Sequence, residues 1–260
     1  PVLAEIPNGV EYAIAGDPPI DPEAVRYAPR PPERYVWARR LLVALDLAHA
    51  APDAPAVAVR EAYDAALEQF PRHLPGHGYR LFGLPELRAA VAAKFTARGL
   101  PTSPEQILVT AGAQHAFSLV LALAVTPGDR GLVEHPTYPN ALDAARGTGA
   151  RFVPVALTDD GWDVDAVSAA LRQTAPRLAY LVPDFHNPTG LLASPDERAA
   201  LARLLARSRT LTVVDETLVD LRLDGPDLPP PMATLLPDDL AVTVGSTSKT
   251  FWGGLRVGWL

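Results

Sequence analysis

From Ile107 onward, short apolar runs alternate with longer segments of helical character, and this alternation narrows the fold more than any other feature of the chain. The runs are Ile107 to Thr110, Leu132 to Glu134, Ala150 to Val155, Leu178 to Pro183, Leu211 to Val214 and Leu240 to Val244. Each has strand length and none alternates cleanly between polar and apolar, which is how strands covered on both faces read. Between them the sequence predicts helices from the Ala111-Gly112-Ala113-Gln114 turn through Val125, over Asn140 to Gly147, over Asp163 to Arg172 and from Ser194 to Arg207. Helical crossovers of this length join parallel strands. The expected architecture is therefore α/β, a three-layer sandwich around a mostly parallel central sheet.

The chain ahead of this rhythm is less regular. Residues 1 to about 55 are rich in Pro and Ala and read as an N-terminal arm or interdomain linker, with a short helix over Tyr35 to Arg40. Pro55 to Phe70 reads as a helix carrying Val57, Val59, Tyr63, Ala66, Leu67 and Phe70 at roughly helical spacing. Pro71 to Gly83 reads as a loop, and its His73 and His77 have no carboxylate at metal-ligand spacing, so no metal site is expected. Leu84 to Arg98 is an amphipathic helix with Leu84, Leu87, Val91 and Phe95 on one stripe and Gly99 just beyond. Ser103-Pro104-Glu105-Gln106 and Ser194-Pro195-Asp196-Glu197 both have capping-box form with Pro at the first helical position.

Composition excludes several classes of function. With 48% hydrophobic residues in 260, a large core is available. A formal charge of −7 argues against a nucleic-acid surface on this chain, and any DNA contact is expected through a domain outside it. The absence of cysteine removes disulfides and thiolate metal sites. The longest apolar run, Ala116 to Val125, is too short to span a bilayer. Neither a basic n-region nor a long apolar core opens the chain, so a cytoplasmic location is expected. The chain begins without Met and stops shortly after Val257-Gly258-Trp259-Leu260, and it reads as trimmed at both ends.

Chemistry concentrates at the ends of the apolar runs. Asn187 lies in Asn187-Pro188-Thr189-Gly190, Asp215 follows the run Leu211 to Val214, and Lys249 closes Ser246-Thr247-Ser248-Lys249, with Arg256 seven residues later. In open α/β sheets such strand tips are where ligands bind. Singly each has an ordinary explanation, since Asn-Pro makes turns, Asp caps helices and Lys is usually solvated. The Ala111-Gly112-Ala113-Gln114 turn into a helix is an anion cradle by its free amides and dipole, although many such turns bind nothing.

Together and in this order, these residues resemble the class I/II aminotransferases of the pyridoxal-phosphate fold-type I superfamily, over about Gly78 to Leu260. The resemblance implies a large domain at 56–260, with the family's C-terminal small domain and its substrate-carboxylate arginine outside the chain. It implies pyridoxal 5'-phosphate as cofactor and Lys249 as the Schiff-base residue and proton shuttle. By the same resemblance Asp215 pairs with the ring nitrogen, Asn187 donates to the ring 3-oxygen and Tyr138 lies on the ring face. The phosphate is held by the amides of Ala113 and Gln114, by Ser246 and Ser248, and by Arg256, whose fork suits phosphate oxygens. Tyr79 reaches the cofactor of a second subunit, since relatives build their sites across a homodimer interface. One departure stands out: the tyrosine usual two or three residues after the aspartate is replaced by Thr217 and Leu218.

The segments Gly83 to Arg88, Gln106 to Gln114 and Gly254 to Trp259 resemble most the aminotransferase-like domain of MocR-type bacterial regulators. Two functions follow. One is a transaminase exchanging an amino group between an amino acid and a 2-oxo acid; the other is an effector-sensing domain using the same chemistry without turnover. An inert truncated fold is the third alternative.

Overall fold

The computed structural model describes residues 53–225 and 227–260. The Pro-rich segment through residue 52, with the helix expected over Tyr35 to Arg40, lies outside the described residues. Six α-helices follow: α1 Ala56–Gln69, α2 Pro85–Ala97, α3 Ala113–Ala124, α4 Pro139–Gly147, α5 Val164–Thr174 and α6 Pro195–Ser208. Eight strands form one sheet: β1 Val109–Thr110, β2 Arg130–His135, β3 Arg151–Thr158, β4 Gly161–Trp162, β5 Leu178–Leu181, β6 Leu211–Asp215, β7 Ala241–Ser246 and β8 Gly258–Trp259.

The strand order is β1-β8-β7-β6-β5-β2-β3-β4. The five central strands, β7-β6-β5-β2-β3, are parallel. Both edges are antiparallel: β4 returns along β3, and β8 inserts between β1 and β7. The parallel core matches the sequence reading. The antiparallel edges do not follow from it, because a two-residue strand carries no period to read.

Strand residues alternate strictly between two cores, which makes the three layers. Leu132, Ala179, Leu181 and Val214 pack with Val167 and Leu171 of α5 and Leu201, Ala202 and Leu205 of α6. Val133, Leu178, Tyr180, Val213 and Val244 pack with Ala116, Phe117, Val120 and Leu121 of α3 and Ala141 of α4. Every residue of β5 is buried, as a strand sandwiched between helices requires. A smaller cluster seats Val91, Ala92 and Phe95 of α2 against Ile107 and Trp259.

Local chemistry fixes several ends. Ser194 caps α6: its hydroxyl accepts from the Glu197 amide at 3.2 Å, and Glu197 Oε2 accepts from the Ser194 amide at 2.8 Å. Glu197 Oε1 also accepts from the Trp162 amide at 3.0 Å, so the cap ties α6 to β4. At Ser103 the Gln106 side chain reaches back to the Ser103 amide at 2.9 Å, but what it opens is only the three-residue 3₁₀ turn Pro104–Gln106. Helix α1 forms where expected, yet buries none of its residues, and Val57 and Leu67 are 72% and 66% exposed. Its apolar stripe is uncovered by the described residues.

Candidate active site

The site is assembled at the carboxyl ends of β5, β6 and β7, which lie side by side. Asp215 is the last residue of β6 and is buried. Its carboxylate is tied at both oxygens: Oδ1 accepts from the Thr217 amide at 2.8 Å and Oδ2 from the Tyr180 hydroxyl at 2.6 Å. The backbone just beyond remains joined to β7, with the Glu216 amide donating to the Val244 carbonyl at 2.9 Å.

Lys249 is carried on a π-helical turn, Ser248–Trp252, rather than on a plain loop. Single π turns widen the backbone and occur often at functional sites. The turn starts from a knot around the Val257 carbonyl, which accepts from the Ser246 hydroxyl at 3.2 Å, the Thr247 hydroxyl at 3.1 Å and the Thr247 amide at 3.0 Å. The Ser246 hydroxyl also accepts from the Ser248 amide at 3.1 Å, so this side chain shapes the turn that presents Lys249. Lys249 is half-buried, and burial holds its amine below the usual lysine range. Desolvation thus favours the neutral, nucleophilic form.

The anion cradle lies across β8 from that turn. Gly112 precedes α3 at φ 102°, and a Cβ there would stand 2.9 Å from a guanidinium nitrogen of Arg256. Arg256 in turn donates to the Ala111 carbonyl at 2.8 Å, which places its charge at the start of α3. The first-turn amides of Ala113 and Gln114 have no intrahelical acceptor, and the helix dipole adds positive potential there. Gln114 Nε2 donates to the Asn140 carbonyl at 2.9 Å, and Asn140 Nδ2 donates to the Tyr138 hydroxyl at 2.8 Å. This chain of contacts links Tyr138, the residue preceding α4, to the cradle.

Asn187 follows β5 and is half-buried. Its turn is locked from below. The His186 amide donates to Leu191 at 2.8 Å, and Gly190 donates back to the His186 carbonyl at 2.6 Å. Beneath it, buried Glu134 accepts from the Trp162 indole at 2.6 Å and the Val182 amide at 2.9 Å, and lies 3.3 Å from His186 Nε2. Tyr79 is not brought into this arrangement by the described contacts; it is 77% exposed, beside the His77 ring. A cavity of about 290 Å³ lies under α4 against β2 and β3, bordered by Val133, Glu134, Leu142 and Phe152 but not by Asn187, Asp215, Lys249 or Arg256.

Two features escaped the sequence reading. Tyr180 as the partner of Asp215 had one visible signal, a hydroxyl in the otherwise aliphatic strand Leu178-Ala179-Tyr180-Leu181. Buried phenols find a hydrogen-bond partner. The other is Glu216, buried next to Asp215 and paired with Arg98 of the α2 C-terminus. Burial pushes its carboxyl from 4.5 up to about 7, with Arg98 pulling the other way. The folded chain therefore holds an extra proton between those values, and stability falls as pH rises through that window and levels off above it. The Glu216→Gln variant is expected to lose this part of the pH dependence, about 1–3 kcal/mol between pH 5 and 8. Urea midpoints of both proteins at the two pH values check it, and identical slopes would refute it.

The residues present suit a flat, anionic, carbonyl-bearing ring. They offer a desolvated amine, a tethered carboxylate, an arginine at a helix N-terminus, and a Thr217 hydroxyl that is buried with no protein partner. Among curated relatives, a 2-aminoadipate transaminase of Thermus thermophilus is 32% identical over 80% of this chain and 49% of its own length. A probable rhizopine catabolism regulatory protein, MocR, of Rhizobium meliloti is 30% identical over 71% of this chain and 37% of its own. The solved α-aminoadipate aminotransferase of Thermus thermophilus, complexed with N-(5'-phosphopyridoxyl)-L-leucine, superposes with a TM-score of 0.65 at 31% identity, covering 76% of this chain and 51% of that one. The chain thus spans about half or less of the length of these three relatives. The sequence profile described as aminotransferase class I and II matches residues 48–260, and with the parallel sheet and the strand-tip residues in place, this chain belongs to that family.

Proposed function

We propose that the protein is a pyridoxal 5'-phosphate-dependent aminotransferase that moves an amino group between an amino acid and a 2-oxo acid. Residues 56–260 are its cofactor-binding large domain, and residues 1–55 an arm or linker. The observation that carries this reading is the delivery of Lys249 and Asp215 from neighbouring parallel strand tips, with Arg256 at the start of α3. Pyridoxal phosphate, the cofactor of this family, supplies an aldehyde for amine capture and a ring that withdraws electrons from the substrate carbon.

The chain's own residues do the rest. Lys249 presents a desolvated amine that accepts and returns a proton at its Nζ. Asp215 places a negative charge where a protonated ring nitrogen needs one. Arg256, the amides of Ala113 and Gln114, and Ser248 hold the phosphate, with Ser246 shaping the turn. Asn187 and the Thr217 hydroxyl are the donors offered to the ring 3-oxygen, in place of the tyrosine this chain lacks. Tyr138 covers the ring face. The stripe of α1 that the described residues leave uncovered and the neighbouring loop with Tyr79 are the surface for a second copy, making a homodimer. The protein works in the cytoplasm; among the described residues no helix is long and apolar enough to cross a membrane.

The test uses the full-length protein with added cofactor, followed by absorbance. Amino acids are expected to convert the bound cofactor in a single turnover, releasing a 2-oxo acid identified by mass spectrometry, and 2-oxo acids to reverse it. Absence of cofactor binding sinks the reading. The MocR relative favours a second one, effector sensing: amino acids would then perturb the spectrum without releasing oxo acid, and DNA would be bound through a domain outside this chain. The Arg256→Ala variant is expected to weaken cofactor binding roughly 10–100-fold, the worth of a charge-assisted phosphate contact. Fluorescence titration measures it, and an unchanged Kd would remove Arg256 from the cradle.

A further inference from the structure

We propose that Tyr180 is a positioning residue that sets both the orientation and the electron-donating strength of Asp215 toward a cationic ring. The proposal rests on the cofactor reading above. Its basis is the way the Asp215 carboxylate is held. The last torsion of an aspartate is broad and roughly two-fold, so a carboxylate tied at one oxygen still swivels. Here Thr217 fixes Oδ1 and the Tyr180 phenol fixes Oδ2 at 2.6 Å, a length typical of a hydroxyl donating to a charged oxygen. With both oxygens tied, the swivel is stopped.

Tyr180 is itself immobile. It is 2% exposed in the centre of β5, and its ring packs 4.7 Å from that of Phe117 on α3, the helix that begins at the anion cradle. One side chain thus spans the acid and the helix that receives the phosphate. The titratable groups acting on its hydroxyl are Asp215 from β6, Glu134 from β2 and Tyr138 ahead of α4. Burial, with Asp215 next, pushes its pKa well above the ordinary tyrosine range, so the phenol remains a donor at every working pH. A permanent donor draws charge from the carboxylate and makes it a poorer competitor for the proton on the ring nitrogen. Without it, the carboxylate takes more of that proton and the ring withdraws electrons less well.

The experiment compares the full-length wild type with Tyr180→Phe and with fluorinated tyrosines at position 180, each bound to cofactor labelled with ¹⁵N in the ring. In wild type the ring resonance is expected at its protonated position. In Tyr180→Phe it moves toward the unprotonated position, and kcat falls roughly 10-fold while KM changes little, the loss of one hydrogen bond to a charge. Fluorotyrosines, whose phenols are stronger donors, move the resonance in the opposite direction in order of their acidity. A merely structural role does not produce that order. A protonated wild-type resonance that is the same in all variants overturns the role of Tyr180 alone. If the wild type gives no bound resonance, the cofactor reading fails and this inference with it. Should Tyr180→Phe fail to fold, the fluorotyrosine series, which preserves shape, decides.

Discussion

Lys249→Ala is expected to abolish transamination, with turnover reduced roughly 10³-fold or more, because one amine serves as both nucleophile and proton carrier. Borohydride treatment should fix cofactor covalently to the wild-type protein and leave the variant unmodified, which mass spectrometry of the peptide carrying residue 249 reads directly. The cofactor should still bind the variant reversibly, since Arg256 and the α3 amides are untouched. Lys249→Arg keeps a charge but not a neutral amine, and is expected to be as inactive. Half-burial lowers the pKa of Lys249 and so favours the neutral amine that both roles need. The one other lysine of the sequence, Lys94, is paired with Asp220. A Lys249→Ala protein that turned over, or was trapped elsewhere, would dismiss the assignment.

The largest stability effect is expected at the Arg198–Asp184 pair. Arg198 lies on α6 yet is 1% exposed. Its guanidinium donates to Asp184 Oδ1 at 2.7 Å and to the carbonyls of Ala193 at 2.9 Å and Pro183 at 3.2 Å. It therefore satisfies the backbone that leaves β5 and returns to α6, the stretch containing Asn187. Arg198→Met leaves Asp184 as an uncompensated buried charge and is expected to cost about 3–5 kcal/mol. For a domain whose total stability is about 5–15 kcal/mol, this is a large fraction. Urea denaturation measures it. Adding Asp184→Leu should restore part of the loss, because removing both charges is far less harmful than removing one. A single variant as stable as the wild type would show that the pair is solvated in solution.

Much of the site was legible because its residues sit where local rules put them. Asp215 ends a run of buried β-branched residues, Lys249 follows a Ser/Thr turn, and Gly112 precedes an apolar helix. These are short-range patterns, and the structure keeps them within a residue or two. The burial partners were not legible. Tyr180 and Asp215 are 35 residues apart, and only parallel pairing of β5 with β6, which sets Tyr180 opposite Val213, brings the phenol to the carboxylate. Arg98, at the end of α2, and Glu216 meet across 118 residues of chain. The stripe on α1 shows the opposite limit: helical spacing was right, but spacing alone does not say whether a face is covered.

The order of strands and helices, the residue types at the strand tips and the family they belong to were written in the chain itself, because periodicity and turn chemistry act between near neighbours. The antiparallel edges, the π turn beneath Lys249, the tether on both oxygens of Asp215 and the burial that moves the acidities of Lys249, Tyr180 and Glu216 came only with the tertiary structure. Desolvation and long-range hydrogen bonding depend on which distant residues share one interior, and no local pattern encodes that.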